Sequence, residues 1–195
     1  MRLLVENLDR ELGENLRIMA QAMTEICQRS TLELACPTPL TRNQFTILKI
    51  LSNGKSIQIG TLARLLDISN PAVSKNIDRL TKLGLVARRP DLKDRRRLEI
   101  ILLTPGMAIV SEYERIMEIK HRHLMEHFEP QEKEILLDLV KRVTRFTIAE
   151  EQDIESICLQ CGGNCGESCV IESRKGVCAL PENYQGPDKV PDKKN

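Results

Sequence analysis

Residues 57 to 84 read IQIGTLARLLDISNPAVSKNIDRLTKLG, and the fold turns on them. Leu62, Leu65 and Leu66 repeat at helical spacing, and Asp67-Ile68 closes that helix. Ser69 stands where its hydroxyl can accept a hydrogen bond from a free N–H of a following helix. Pro71 falls in the first turn of that helix, where a missing N–H costs little. Val73, Ile77 and Leu80 mark a stripe to be buried, and Ser74, Lys75, Asp78, Arg79 and Lys82 mark the opposite side. A short helix with a basic and hydroxylic outer face, after a helix and a tight turn, suits the DNA major groove. A small helical hairpin with a solvated charged face would read the same over these residues, so the flanks must decide.

The downstream flank does. Residues 85–90 predict a strand, residues 91–94 a turn, and residues 95–103 a returning strand. The hairpin loop carries Arg95, Arg96 and Arg97 in a row. Arginine side chains can enter a narrow minor groove, where the negative potential is enhanced. The run LARLLDISNPAVSKNIDRLTKLGLVARR, followed by DRRR and LTPG, resembles the MarR family of winged-helix transcription regulators. The resemblance covers residues 41–106. It departs at one point: Thr104 and Gly106 enclose only Pro105, where the family usually leaves two residues.

The resemblance implies a mainly α fold with a small β-hairpin wing. A winged helix-turn-helix (41–106) would be carried by an N-terminal dimerisation helix (1–32) and C-terminal dimerisation helices (107–157). It implies a homodimer on palindromic double-stranded DNA. Ser69, Asn70, Ser74, Lys75, Asn76 and Arg79 are then the base- and backbone-contact candidates, with Arg95, Arg96 and Arg97 on the wing. Arg96 aligns with the family's wing arginine, and Asp94 is placed to hold it. A small-molecule effector of unspecified chemistry is compatible with the resemblance.

Charge supports this placement. The whole chain carries a net charge of only +1, but residues 41–106 hold 13 Lys/Arg against 5 Asp/Glu, leaving 16 against 23 elsewhere. A basic block inside a balanced chain is an electrostatic footprint for a phosphate backbone. Aromatic residues make up 3% and tryptophan is absent, which argues against stacking platforms for single strands. No apolar run reaches membrane-spanning length and no signal peptide is visible, so the expected location is cytoplasmic. No nucleotide loop, flavin motif or catalytic constellation points to an enzyme.

On either side the pattern is helical. Leu8, Leu12, Leu16, Met19, Met23 and Ile26 predict an amphipathic helix over about residues 3–29, long for the domain it has to pack against. Cys27 near its end reads as a packing thiol. Residues 33–40 predict a loop, broken by Pro37 and Pro39, with Cys36 exposed in it. Thr41 can cap a helix carrying Phe45, Leu48 and Leu51. Ser56 to Ile59 can add a short strand to the wing sheet. Residues 107–128 predict a helix with Ile109, Tyr113, Ile116 and Met117 on one face. His121, His123 and His127 lie near its end. His123 and His127 are spaced to share a metal, but a solvated histidine-rich helix end is the preferred reading. Pro130 opens a last helix to about Ile157, striped by Ile135, Leu136, Leu139, Val140, Val143 and Phe146.

Beyond Ile157 the composition changes. CLQCGGNCGESCVIESRKGVC places Cys158, Cys161, Cys165, Cys169 and Cys178 at gaps of two, three, three and eight residues. The cluster occupies residues 158–180, and a polar Pro/Lys-rich tail, expected to be disordered, occupies 181–195. Cytosolic thiols are normally reduced, so a dense cluster reads as metal binding sooner than as disulfides. The spacing is similar to a bacterial ferredoxin run with one residue inserted, and Gly162, Gly163 and Gly166 would let backbone N–H groups approach cluster sulfurs. A [4Fe–4S] cluster held by four of the five cysteines is the favoured reading, with Zn²⁺ as the alternative. Cys169 and Cys178 compete as the fourth ligand. Two function classes follow: a DNA-binding regulator modulated by a metal centre, and, more distantly, an iron–sulfur electron-transfer protein.

Overall fold

A computed structural model describes residues 2–52, 56–90, 98–148 and 170. Helix α1 (Arg2–Ala22) runs without a break through a π-helical turn (Met23–Gln28) into α2 (Arg29–Ala35). The predicted loop at 33–40 therefore starts later. Leu32 and Ala35 are buried against the core and hold the last turn in place, and Pro37 disfavours helix at the residue before it. Cys36 is extended (φ −130°, ψ 114°) and only 5% exposed, not exposed as expected. Its thiol donates to the Thr38 carbonyl at 2.9 Å.

Helix α3 (Arg42–Ser52) starts on a reciprocal cap. The Gln44 N–H donates to Thr41 Oγ1 at 3.3 Å, and the Thr41 N–H donates to Gln44 Oε1 at 3.1 Å. The short strand β1 (Ile57–Gln58) leads into α4 (Ile59–Leu66). Asp67 then turns the chain in the left-handed region, at φ 51° and ψ 46°. Aspartate tolerates that conformation better than most side chains. Helix α5 (Asn70–Lys82) follows, with Ser69 at its N-cap accepting from the Ala72 N–H and Pro71 in its first turn.

Strands β2 (Val86–Pro90) and β3 (Leu98–Leu102) complete an antiparallel sheet of order β1-β3-β2. Its register pairs Ile57 with Ile100 and Val86 with Leu102. Helix α6 (Thr104–Met125) begins at once, where the sequence places its departure from the family spacing. Gly106 explains the tight join. A Cβ at Gly106 would lie 2.5 Å from the Leu85 carbonyl oxygen and 2.6 Å from Leu102 Cδ1, so only glycine fits. The same carbonyl accepts from the Leu103 N–H at 3.0 Å, locking the β3–α6 junction to the residue that leads into β2.

The core lies inside the winged-helix unit. Ile47, Leu48, Leu62, Val73, Ile77, Leu80 and Ile100 are fully buried together, and Val110, Tyr113 and Met117 of α6 close it from one side. Helix α7 (Pro130–Thr147) opens with a Glu129–Glu132 capping box and buries none of its residues. The expected extension to Ile157 lies outside the described residues. Among the described residues, no helix is long and apolar enough to cross a membrane.

Candidate nucleic-acid interface

Helix α5 presents the predicted face. Burying Val73, Ile77 and Leu80 forces the opposite side outward, by the 3.6-residue period alone. Ser69, Asn70, Lys75 and Arg79 are exposed and Ser74 is half-buried. The helix thus offers hydroxyl, amide, ammonium and guanidinium groups on one solvent-facing side, the donor-rich chemistry that phosphates and base edges accept.

Asn76 is placed differently from its neighbours. Its Oδ1 accepts from Gln44 Nε2 at 3.2 Å, and its own Nδ2 donates to the Ala72 carbonyl at 3.1 Å. Its amide therefore joins α5 to α3 and is half-buried. Asp78, on the charged face, is not free either: it pairs with Arg88 of β2 at 2.6 Å. Arg88 can reach it because Arg88 shares a sheet face with its partner Ile100, whose side chain points into the core. Arg89 points the other way and lies 3.5 Å from Glu99, its direct cross-strand partner. The Asp78–Arg88 tie was not legible in sequence, because ten residues and a strand register separate its members. Arg95, Arg96, Arg97 and Asp94, the wing tip, lie outside the described residues. So do the five metal-ligand candidates Cys158, Cys161, Cys165, Cys169 and Cys178.

Behind α5, a cavity of about 430 Å³ opens between the π-helical turn, α2, α3 and α6. Leu32, Cys36, Leu40, Thr41, Phe45 and Tyr113 line it. The Phe45 and Tyr113 rings stand 4.3 Å apart, centre to centre, and Lys49 sits 5.8 Å from the tyrosine ring centre. Burial, with help from the neighbouring Glu114 and Cys27, pushes the Tyr113 phenol up to about 12, so it stays protonated at neutral pH. Arg79 Nη2 donates to the Pro39 carbonyl on the cavity rim, at 3.5 Å. His121, His123 and His127 are exposed on α6 and just beyond it, with His123 Nδ1 3.0 Å from Glu126 Oε2. Among the described residues, no group of three or more His, Cys, Asp or Glu could hold a metal ion.

Comparison with known proteins agrees with this geometry. Residues 40–98 match the sequence model of the MarR family. The homoprotocatechuate degradative operon repressor of Escherichia coli is 26% identical over 115 residues, which is 59% of this chain and 78% of that protein. A MarR family protein from Bacillus stearothermophilus has the same fold, with a TM-score of 0.62 at 23% identity. The match covers 73% of this chain and 96% of that one. A mutant of MepR from S. aureus, solved bound to an oligodeoxyribonucleotide, matches with a TM-score of 0.56 at 22% identity, over 69% of this chain and 97% of that one. The chain is thus similar to MarR-type transcriptional regulators in sequence over its winged helix, and it shares their fold.

Proposed function

We propose that the protein is a homodimeric, sequence-specific regulator that binds palindromic duplex DNA through α5 and the β2–β3 wing. The observation that carries this reading is the outer face of α5, where Ser69, Asn70, Lys75 and Arg79 stand exposed on a helix fixed by its buried side. Each half-site would be read by one recognition helix, about one helical turn from its mate. The oligodeoxyribonucleotide seen with the MepR mutant supports DNA as the partner. Dimerisation is supported by the uncovered apolar stripe of α7, which ends in Phe146 at 80% exposure.

Operator binding is modulated, in this reading, by a centre built from four of Cys158, Cys161, Cys165, Cys169 and Cys178. Closely spaced thiolates repel one another unless a cation holds them, and the ferredoxin-like gaps favour a redox-sensitive [4Fe–4S] cluster over Zn²⁺. The segment begins eleven residues after α7 ends in sequence, so its state can bias the end of a dimer helix. The cavity beside Tyr113 favours a second input, a small-molecule effector.

The test joins a gel shift on the protein's own upstream DNA with visible absorption of anaerobically purified protein. A dimer that shifts the fragment, carries iron and sulfide, and changes affinity on oxidation supports the whole reading. Cys161→Ser should lose iron and shift operator affinity by about 5- to 150-fold while the protein stays dimeric. Equal binding by holo-protein, oxidised protein and this variant would make the centre structural. Zinc without sulfide would remove the redox chemistry and leave a zinc-responsive or zinc-stabilised regulator.

A further inference from the structure

Among the described residues, two polar side chains are buried, Thr31 and Gln44. Thr31 serves the α2–α6 contact, donating to the Cys27 carbonyl and accepting from Lys120 Nζ at 2.9 Å. Gln44 is 5% exposed and faces the recognition helix. A buried amide is costly unless its hydrogen bonds are made, so its partners reveal what holds it there. Its oxygen accepts from the Thr41 N–H, and its nitrogen donates to Asn76 Oδ1. Asn76 passes its own N–H on to the Ala72 carbonyl. The result is a directed chain of hydrogen bonds from the cavity rim at Thr41, through the core, to the middle of α5.

Direction matters in this chain. Because Gln44 Oε1 is committed to the Thr41 N–H, Gln44 can offer Asn76 only its N–H. Asn76 must then turn its oxygen inward, and its N–H is taken up by its own helix. We infer that Gln44 is a positioning residue for DNA reading: it fixes the rotation of α5 and the amide orientation of Asn76 without touching DNA. The inference rests on the DNA-binding reading above. Hydrophobic packing of Val73, Ile77 and Leu80 sets the depth of α5, but apolar contacts are non-directional and tolerate a small roll of the helix. One oriented amide pair does not. Arg79 of α5, bonded to the Pro39 carbonyl, ties the same helix to the same rim a second time.

Two substitutions separate this role from simple structural support. Gln44→Met keeps the volume and the helix propensity but removes both hydrogen bonds. Gln44→Glu keeps the reciprocal cap with Thr41 and removes the donor, so Asn76 must reverse its amide to satisfy it. The readout is the ratio of affinities for the protein's own upstream fragment over a scrambled duplex of equal length, at one salt concentration. Both variants should lose about threefold to tenfold in that ratio. Affinity for the scrambled duplex and its salt slope should not move, since no phosphate contact is lost. In an Asn76→Ala background, Gln44→Glu should change the ratio no further, because the two residues act as one unit. An unchanged ratio in Gln44→Glu, or a full additional loss in the Asn76→Ala background, overturns the assignment. Wild-type protein that binds no duplex overturns the DNA-binding reading and the inference with it.

Discussion

The winged-helix unit and the helices that flank it carry the same kind of apolar stripe, with opposite fates. In the unit, Leu62, Ile77 and Leu80 meet Ile47, Leu48 and Ile100 and vanish from solvent. In the flanks, Leu8, Leu12, Leu16 and Met19 of α1, and Ile135, Leu139, Val143 and Phe146 of α7, remain largely exposed. Charge follows the same division, with the basic excess confined to residues 41–106. Periodicity states that a face is apolar, and only topology states what covers it. The unit closes on itself through a three-stranded sheet and three helices, whereas the flanks leave an apolar face open to a partner. A second copy, offering the same stripe, is the simplest such partner.

The largest expected effect comes from opening the closed side of this comparison. Ile77 is fully buried, between α5 and the core. Ile77→Ala should cost about 2–5 kcal/mol of stability, the transfer of the lost methyls plus the cavity left behind. Chemical denaturation would show it as a lower midpoint at an unchanged slope. A loss under about 1 kcal/mol would mean that the unit is loosely packed and that the contrast with the flanks is overstated.

A charge on the open side should act through assembly instead. Leu139 lies in the exposed stripe of α7, at 47% exposure in the single chain. Leu139→Asp should leave the fold of the winged-helix unit intact, because it removes no contact of the core. In a dimer that buries this stripe, the new carboxylate would be desolvated without a partner, at a penalty of several kcal/mol. Sedimentation at micromolar protein should therefore show a dimer for the wild type and a monomer for the variant, with operator binding lost in parallel. A variant that remains dimeric would move the interface elsewhere.

Legibility in the sequence divides along the same line. The stripe Val73, Ile77 and Leu80, the Ser69 cap, the Pro71 position and the three strands are local patterns, and all are present in the structure. What failed was set by distant contacts. Helix α2 runs to Ala35 because Leu32 and Ala35 pack on the core, and Cys36 is buried for the same reason, although Pro37 and Pro39 read as an exposed loop. Of the α5 candidates, Ser69, Asn70, Lys75 and Arg79 are exposed as a helical period requires, while Asn76 is drawn into the helix junction by Gln44. Sequence could have offered one hint: Gln44 sits three residues after Thr41, a capping-box spacing, yet on the core side of an amphipathic helix. A glutamine there must have a polar partner in the interior.

The smallest effect at neutral pH lies at the seam between the two regions. Tyr113 of α6 is buried against Phe45 of α3 and lines the cavity that separates the winged helix from its flanks. Its phenol is raised to about 12, first by burial and then by Glu114 and Cys27. The sign of the consequence follows. Below about pH 10 the phenol is protonated in both folded and unfolded chains, and stability does not depend on it. Between about 10 and about 12 the unfolded chain releases the proton and the folded chain keeps it, so stability falls as pH rises. Tyr113→Phe cannot ionise and should lack this alkaline loss. The two proteins should denature alike near about pH 9 and diverge near about pH 11, with the wild type the weaker. Ultraviolet titration should show one of the chain's two tyrosines ionising near 12 in the folded protein. If both ionise near the ordinary value, or if the variant follows the wild type through the alkaline range, the seam admits water, and the cavity is an open cleft between two loosely joined parts.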